Sequence, residues 1–213
     1  MTAREEILHR IRTALPPQPE PVTIPRAYHR LGQLSPEARM ELLIDRLIDY
    51  DTEVLHAATE KEIPQAIQKV LTAAGEHRAL APAAFPLAWL PTGFDIVVDN
   101  APSQPLAYHE IEGIPAVITT CEAAVASTGT IFLVHHGAQG RRVLTLLPDH
   151  HICLLRHEQV YELLAAALAA IAPHATAPIT TISGPSATSD IEMTRIRGVH
   201  GPRRLTVILY GAA

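Results

Sequence analysis

The chain has 213 residues, of which 47% are apolar, 18% charged and only 4% aromatic, and it carries a net charge of −5. A chain of this length and composition is globular and buries roughly 70% of its unfolded surface, in a core that Leu, Ile, Val and Ala must fill. The acidic balance excludes the basic footprint of a nucleic-acid-binding protein, and the longest apolar run, Leu163 to Ala172, is too short to span a bilayer.

At the N-terminus, MTAREEILHRIRTAL lacks the long apolar core of a secretory signal, so the expected location is the cytoplasm. Ile7, Leu8, Ile11 and Leu15 fall on one face of a helix. PPQPEPVTIP stops that helix and forms an extended tether. Residues 1–35 therefore read as a helical arm with a Pro-rich linker, and 36–213 as an α/β domain. Two readings of the arm stay open: it packs on its own domain, or it docks on a partner or on a second copy in a homo-oligomer.

SPEARMELLIDRLIDY predicts a helix with Ser35 as N-cap and Pro36 at its first position. TEVLHAA reads as a strand, TEKEIPQAIQKVLTAAG as a helix ending at Gly75, RALAPA as a short strand and FDIVVDN as a strong one. IPAVITT, GTIFLVHH, RVLTLLP and HICLLR follow as four β-like runs. A helix is expected from His157 to Ala172, stopped by Pro173. PITTIS is then a strand, TSDIEMTRI a helix and RLTVILY a final strand. Strands that alternate with helices and read as near-continuous apolar runs define an α/β fold with a mainly parallel sheet covered on both faces. The helix-free middle block implies an antiparallel or mixed patch. No internal repeat is visible.

Ligands of open α/β sheets sit outside the carboxyl ends of the strands, and three loops qualify by composition. The first is SGPSATSDIE, Ser183 to Glu192. Gly184 permits close backbone approach, Ser186, Thr188 and Ser189 can cap free N–H groups, and Ser189 with Glu192 has capping-box spacing. The same N–H groups suit an anion, whereas Asp190 and Glu192 would repel one and suit a cation or a ribose hydroxyl. A capped helix without a ligand is the plain alternative. A nucleophile elbow is remote, because Thr188 replaces its last Gly and only Asp190 and His200 follow.

The second loop is CEAAVASTGTI, where Ser127, Thr128, Gly129 and Thr130 form a hydrogen-bonding shelf; a polar tight turn is the bland reading. Glu122 reads as a surface carboxylate. The third is RGVHGPRR, Arg197 to Arg204, whose Gly198 and Gly201-Pro202 hold His200 in place as an acid, a base or a structural histidine. The basic doublets Arg141-Arg142 and Arg203-Arg204 read as solvated strand ends, with an anion clamp as the lesser alternative.

The chain has 12 His and 2 Cys, Cys121 and Cys153. His135-His136 and His150-His151 are adjacent, and neighbours on a strand point to opposite faces, so neither doublet chelates. A metal site would have to be assembled from distant segments, and none is expected. The cysteines lack cluster spacing and read as free, buried thiols, so this chain is expected to bind no redox cofactor.

GPSATSDIE, GVHGPRRLTVIL and ASTGTIFL…LLPDHHICLL together resemble the lactate-utilisation protein C family, LutC/YkgG, built on the LUD domain. The resemblance is clearest from about Cys121 to Leu209. It implies a Rossmann-like three-layer α/β/α sandwich of the NagB/RpiA/CoA-transferase kind, and a role in oxidising L-lactate to pyruvate beside two partner subunits that carry the iron–sulfur clusters. Where family members commonly read GPSRTADIE, this chain has Ala187 and Ser189, and Ala187 removes a cation that could have faced an anion. No catalytic residue is carried over. The ligand-binding residues expected from the three loops are Ser127, Thr128, Gly129, Thr130, Gly184, Ser186, Thr188, Asp190 and His200. The leading expectation is a non-redox component of the lactate system with a small-ligand pocket. The alternative is a stand-alone enzyme acting on a CoA ester or a phosphorylated metabolite, for which Glu122 would be the candidate nucleophile.

Overall fold

The structure is a computed structural model and describes residues 2–15, 23–25, 29, 32–189, 195–197 and 201–211. Helix α1 (Ala3–Ala14) is closed at its start by a capping box between Thr2 and Glu5 and buries no residue; Ile7, Ile11 and Leu15 are all more than half exposed. Helix α2 (Pro36–Asp49) begins as predicted, with Ser35 Oγ accepting from the Ala38 N–H. It buries Met40, Leu43 and Leu47 at helical spacing. Strand β1 (Glu53–Ala57) and helix α3 (Ile63–Ala74) follow, and α3 ends on Gly75 in the left-handed conformation. Then come β2 (Arg78–Pro82), β3 (Asp95–Asp99), a short α4 (Tyr108–Glu112), β4 (Ala116–Thr120), β5 (Ala123–Val125), β6 (Thr130–Val134) and β7 (His150–Arg156). The chain closes with β8 (Val160–Tyr161), α5 (Leu164–Ile171), β9 (Ile179–Ile182), β10 (Ala187–Ser189), β11 (Arg195–Arg197) and β12 (Arg204–Tyr210).

Six strands form a parallel sheet in the order β1-β12-β7-β4-β2-β3. Alternation along β12 explains both of its faces. Leu205, Val207 and Leu209 pack with Met40, Leu43 and Leu47 of α2, whereas Ile208 and Tyr210 pack with Ile63, Ile67, Val70 and Leu71 of α3. A second, four-stranded sheet, β8-β5-β6-β9, is antiparallel at its β5–β6 and β6–β9 pairings. Ala124, Ile131 and Leu133 of this sheet join the α2-side core, and Ala123, Val125, Phe132 and Val134 pack with Ala167 and Ile171 of α5. The mainly parallel α/β architecture with helices on its faces and an antiparallel element is thus the one expected from the sequence.

Four local expectations change. RVLTLLP is not a strand: Arg142–Thr145 is a 3-10 turn in which the neighbours Leu144 and Thr145 are both buried, a pattern no half-buried strand allows. The segment from His157 forms only a 3-10 turn at first, His157–Gln159, and not an α-helix. Val160 and Tyr161 instead extend the small sheet, where the Tyr161 carbonyl accepts from the Ala126 N–H at 2.7 Å, and the helix starts only at Leu164. The second loop contains β5, whose Ala-rich sequence carries little strand signal. Finally, both ends of TSDIEMTRI are strands, β10 pairing antiparallel with β11 through Thr188↔Ile196. Ser189 therefore lies in a strand rather than capping a helix; residues 190–194 are outside the described residues.

Candidate ligand-binding site

A polar cavity of about 320 Å³ lies where two of the three candidate loops, 183–192 and 197–204, meet, at the lower end of small-molecule sites. Its walls come from the turn 142–146, from β9, from the loop 183–187, from Gly201-Pro202, and from His151 and Leu205. His151 and Leu205 are register partners, the second residues of β7 and β12. The cavity therefore opens at the amino ends of the parallel strands, not at their carboxyl ends as expected. The loop 183–187 does follow a strand end, but that strand is β9 of the small antiparallel sheet.

The first loop is held from three sides. Ser183 Oγ lies 2.9 Å from Thr130 Oγ1, and Thr130 Oγ1 lies 2.8 Å from Thr128 Oγ1. The Ser186 N–H donates to the Pro202 carbonyl at 2.8 Å. Gly184 has φ +84°, and a Cβ there would stand 2.6 Å from Tyr50 Cβ, so this glycine is needed for close packing against the end of α2. Gly129 is comparable: φ is +61° and a Cβ would meet Arg46 Cβ at 2.9 Å.

Of the expected binding residues, Gly184 and Ser186 line the cavity. Ser127, Thr128, Gly129 and Thr130 do not; the last three sit behind it as a brace between α2 and Ser183. The Thr188 side chain, Asp190 and His200 lie outside what is described.

Three polar residues outside the expected binding set shape the cavity's chemistry, one of them from the doublet Arg141-Arg142, whose lesser reading is an anion clamp. His151 is buried, and its Nε2 lies 2.8 Å from Thr119 Oγ1. Burial, aided by the nearby His150 and His135, pulls its pKa down to about 3, so at neutral pH it is an uncharged imidazole. Thr180 comes next: its Oγ1 lies 2.7 Å from His135 Nε2, while His135 Nδ1 lies 3.2 Å from the Gly140 carbonyl. That carbonyl can only accept, so Nδ1 carries the hydrogen. Burial, opposed by the Gly140 bond and aided by Arg142, lowers the His135 pKa. A neutral His135 then accepts from the Thr180 hydroxyl, which leaves Thr180 a hydrogen-bond acceptor toward the cavity.

Arg142 is the third. Arg141 is tied to Asp99 by two 2.9 Å bonds, Arg203 to Asp149 by bonds of 2.6 and 2.7 Å, and Arg204 to Glu76. Arg142 makes no ion pair with a described residue and is the one cation among the described lining residues. No carboxylate appears among those residues, and Glu122 is not one of them. One guanidinium with several hydroxyls and a neutral imidazole suits a small anion that also carries a polar oxygen.

The doublet His150-His151 splits across the sheet as strand geometry requires. On the far face, His150 Nδ1 contacts Glu76 Oε2 and Nε2 contacts Thr206 Oγ1, both at 2.8 Å. Thr206 gives its own hydrogen to Glu53 at 3.0 Å, so His150 donates to it. For metal ligation, the fold gathers Glu122, His136 and His174 from three separate segments. Cys121 and Cys153 are free and buried.

These features define a mainly parallel α/β protein with a small second sheet and an anion-suited polar cavity. The LUD domain family model matches residues 40–210, and the chain belongs to the LUD domain family. It is 42% identical to Lactate utilization protein C of Deinococcus radiodurans over 200 residues, covering 93% of this chain and 87% of that one. It is 30% identical to the uncharacterized protein YkgG of Escherichia coli K12, covering 43% and 42% of the two chains. A crystal structure of a DUF162 family protein from Deinococcus radiodurans superposes with a TM-score of 0.73 at 37% identity, covering 84% of this chain and all of that one. Among the described residues no helix is long and apolar enough to cross a membrane.

Proposed function

We propose that this protein is a non-redox component of an L-lactate oxidation system and that its cavity holds lactate, pyruvate or a closely related small carboxylate. The observation that carries the reading is the 42% identity, over nearly the whole chain, to a protein named for lactate utilization. The cavity's chemistry supports it. Arg142 meets the carboxylate, Thr180 accepts from a hydroxyl, and the Ser and Thr side chains supply further bonds. Redox centres belong to partner subunits, since an iron–sulfur cluster takes four thiolates and this chain offers two, both buried. The protein works in the cytoplasm, alongside iron–sulfur subunits.

The test has two arms. A deletion strain is expected to lose growth on L-lactate but not on glucose, and calorimetry is expected to show lactate or pyruvate binding to the purified chain. Normal growth of the deletion strain on lactate would overturn the reading. Tight binding of CoA esters or sugar phosphates, with none of lactate, would favour the stand-alone enzyme instead.

A further inference from the structure

We infer that Glu122, His136 and His174 form a binding site for a divalent transition metal of the zinc and cobalt class, apart from the cavity. One ligand atom from each residue lies within 4.8 Å of the other two. The three come from different elements packed in one layer. Glu122 immediately precedes β5 and its N–H donates to the Phe132 carbonyl of β6 at 2.9 Å. His136 follows β6, and His174 sits in the 3-10 turn that follows α5. The imidazole rings of His136 and His174 approach to 4.6 Å between centroids at 42°.

The carboxylate is oriented as a ligand would be. Gln139 is buried, and its Nε2 donates to Glu122 Oε2 at 2.8 Å. The other carboxylate oxygen, Oε1, faces His174 Nε2 at 3.9 Å. Gln139 also fixes the turn that carries His136, since its own N–H donates to the His136 carbonyl at 3.0 Å. One side chain thus positions one ligand and its backbone steadies the segment of another, as residues behind a metal ligand commonly do.

Ligand atoms around one zinc ion lie about 3.4 Å apart, given bonds of about 2.1 Å in a tetrahedron. The set must therefore close by roughly 1 Å, which rotation of the exposed His136 ring and the part-exposed His174 ring supplies. Two imidazoles and one carboxylate favour zinc, cobalt or nickel over calcium or magnesium, which prefer all-oxygen sites. With three protein ligands, the remaining position is left to water or an exogenous ligand.

The test uses the full chain stripped with a chelator and titrated with Co²⁺ alone, read by visible absorption and calorimetry. The expected result is one equivalent bound with visible bands, displaced by Zn²⁺ and not by excess Ca²⁺. The double variant His136→Ala/His174→Ala is expected to lose that equivalent, and Glu122→Gln to weaken it at least tenfold. A control double variant at exposed histidines elsewhere, His56→Ala/His109→Ala, keeps it. All three ligands are at least partly exposed, so these variants fold, which circular dichroism checks. No binding by the native chain, binding that survives loss of both histidines, or displacement by Ca²⁺ would each overturn the site. None of these readouts depends on lactate.

Discussion

His151 and Thr119 share a buried bond of 2.8 Å across neighbouring strands of the parallel sheet, and this places an uncharged imidazole on the wall of the cavity. The bond satisfies one ring nitrogen. Burial keeps the proton off the ring, so the folded chain holds an acid-sensitive group in its core.

Stability should fall on mild acidification for that reason. The ordinary imidazole value is 6.5, and His151 is held near 3. Above pH 6.5 the residue is neutral in both the folded and the unfolded chain and adds no pH dependence. Between pH 6.5 and 3 the unfolded chain takes up a proton that the folded chain refuses, so stability drops as pH falls. From pH 7.5 to pH 5.0 this amounts to about 2 kcal/mol. Urea unfolding at the two pH values should show His151→Gln losing about that much less than the native chain. Equal losses in both proteins would show that His151 is not the group responsible.

Arg142 should matter for binding and not for folding. It lines the cavity and lacks an ion-pair partner among the described residues. Arg142→Gln is expected to weaken lactate or pyruvate binding about tenfold or more, the scale of one charged hydrogen bond, with an unchanged melting temperature. Calorimetry and a thermal melt check the two halves. Unchanged affinity would place the ligand elsewhere.

Two glycines with positive φ should respond differently to alanine. Gly75 has φ +68° with open space where a Cβ would be, so Gly75→Ala costs about 1 kcal/mol. Gly184 has φ +84°, and its Cβ would collide with Tyr50, so Gly184→Ala costs about 2 kcal/mol or more. Denaturant midpoints of the two variants give the comparison, and similar losses would mean that the Tyr50 contact yields easily.

Of two Asp–Arg pairs, only the buried one should be worth much. Asp99 has a side chain only 1% exposed, pairs with Arg141, and accepts from the Leu106 N–H at 2.9 Å. Its partner keeps its charge on removal of Asp99, so Asp99→Ala is expected to cost about 3–5 kcal/mol. Asp149 and Arg203 are 39% and 61% exposed, and Asp149→Ala should cost no more than about 1 kcal/mol. Chemical denaturation of both variants tests the contrast.

Much of the fold could be read locally because local rules act within a few residues. Ser35 and Pro36 mark the start of α2, Gly75 marks the end of α3, and RLTVILY is a strand in any context that buries both its faces. The segment 188–196 misled because its capping-box spacing is also a local signal, while its β pairing is not. Thr188 and Ile196 are β-branched and suit a strand, yet only their mutual pairing commits them to one. Val160 and Tyr161 are similar: a strand of two residues exists only because β5 offers an edge.

The sequence by itself determined the α/β class, the parallel sheet, the split of the His150-His151 doublet across that sheet and the family motifs, since periodicity and short motifs are carried along the chain. Only the tertiary structure decided which doublet arginine has no ion pair among the described residues, that the cavity sits at the amino ends of β7 and β12, and that Thr128 and Thr130 brace the loop without lining the cavity. It also decided that Glu122, His136 and His174 meet. Each of these depends on contacts between residues far apart in the chain, such as Thr130 with Ser183 or Arg141 with Asp99, and burial, charge pairing and strand register act on groups only after folding has brought them together.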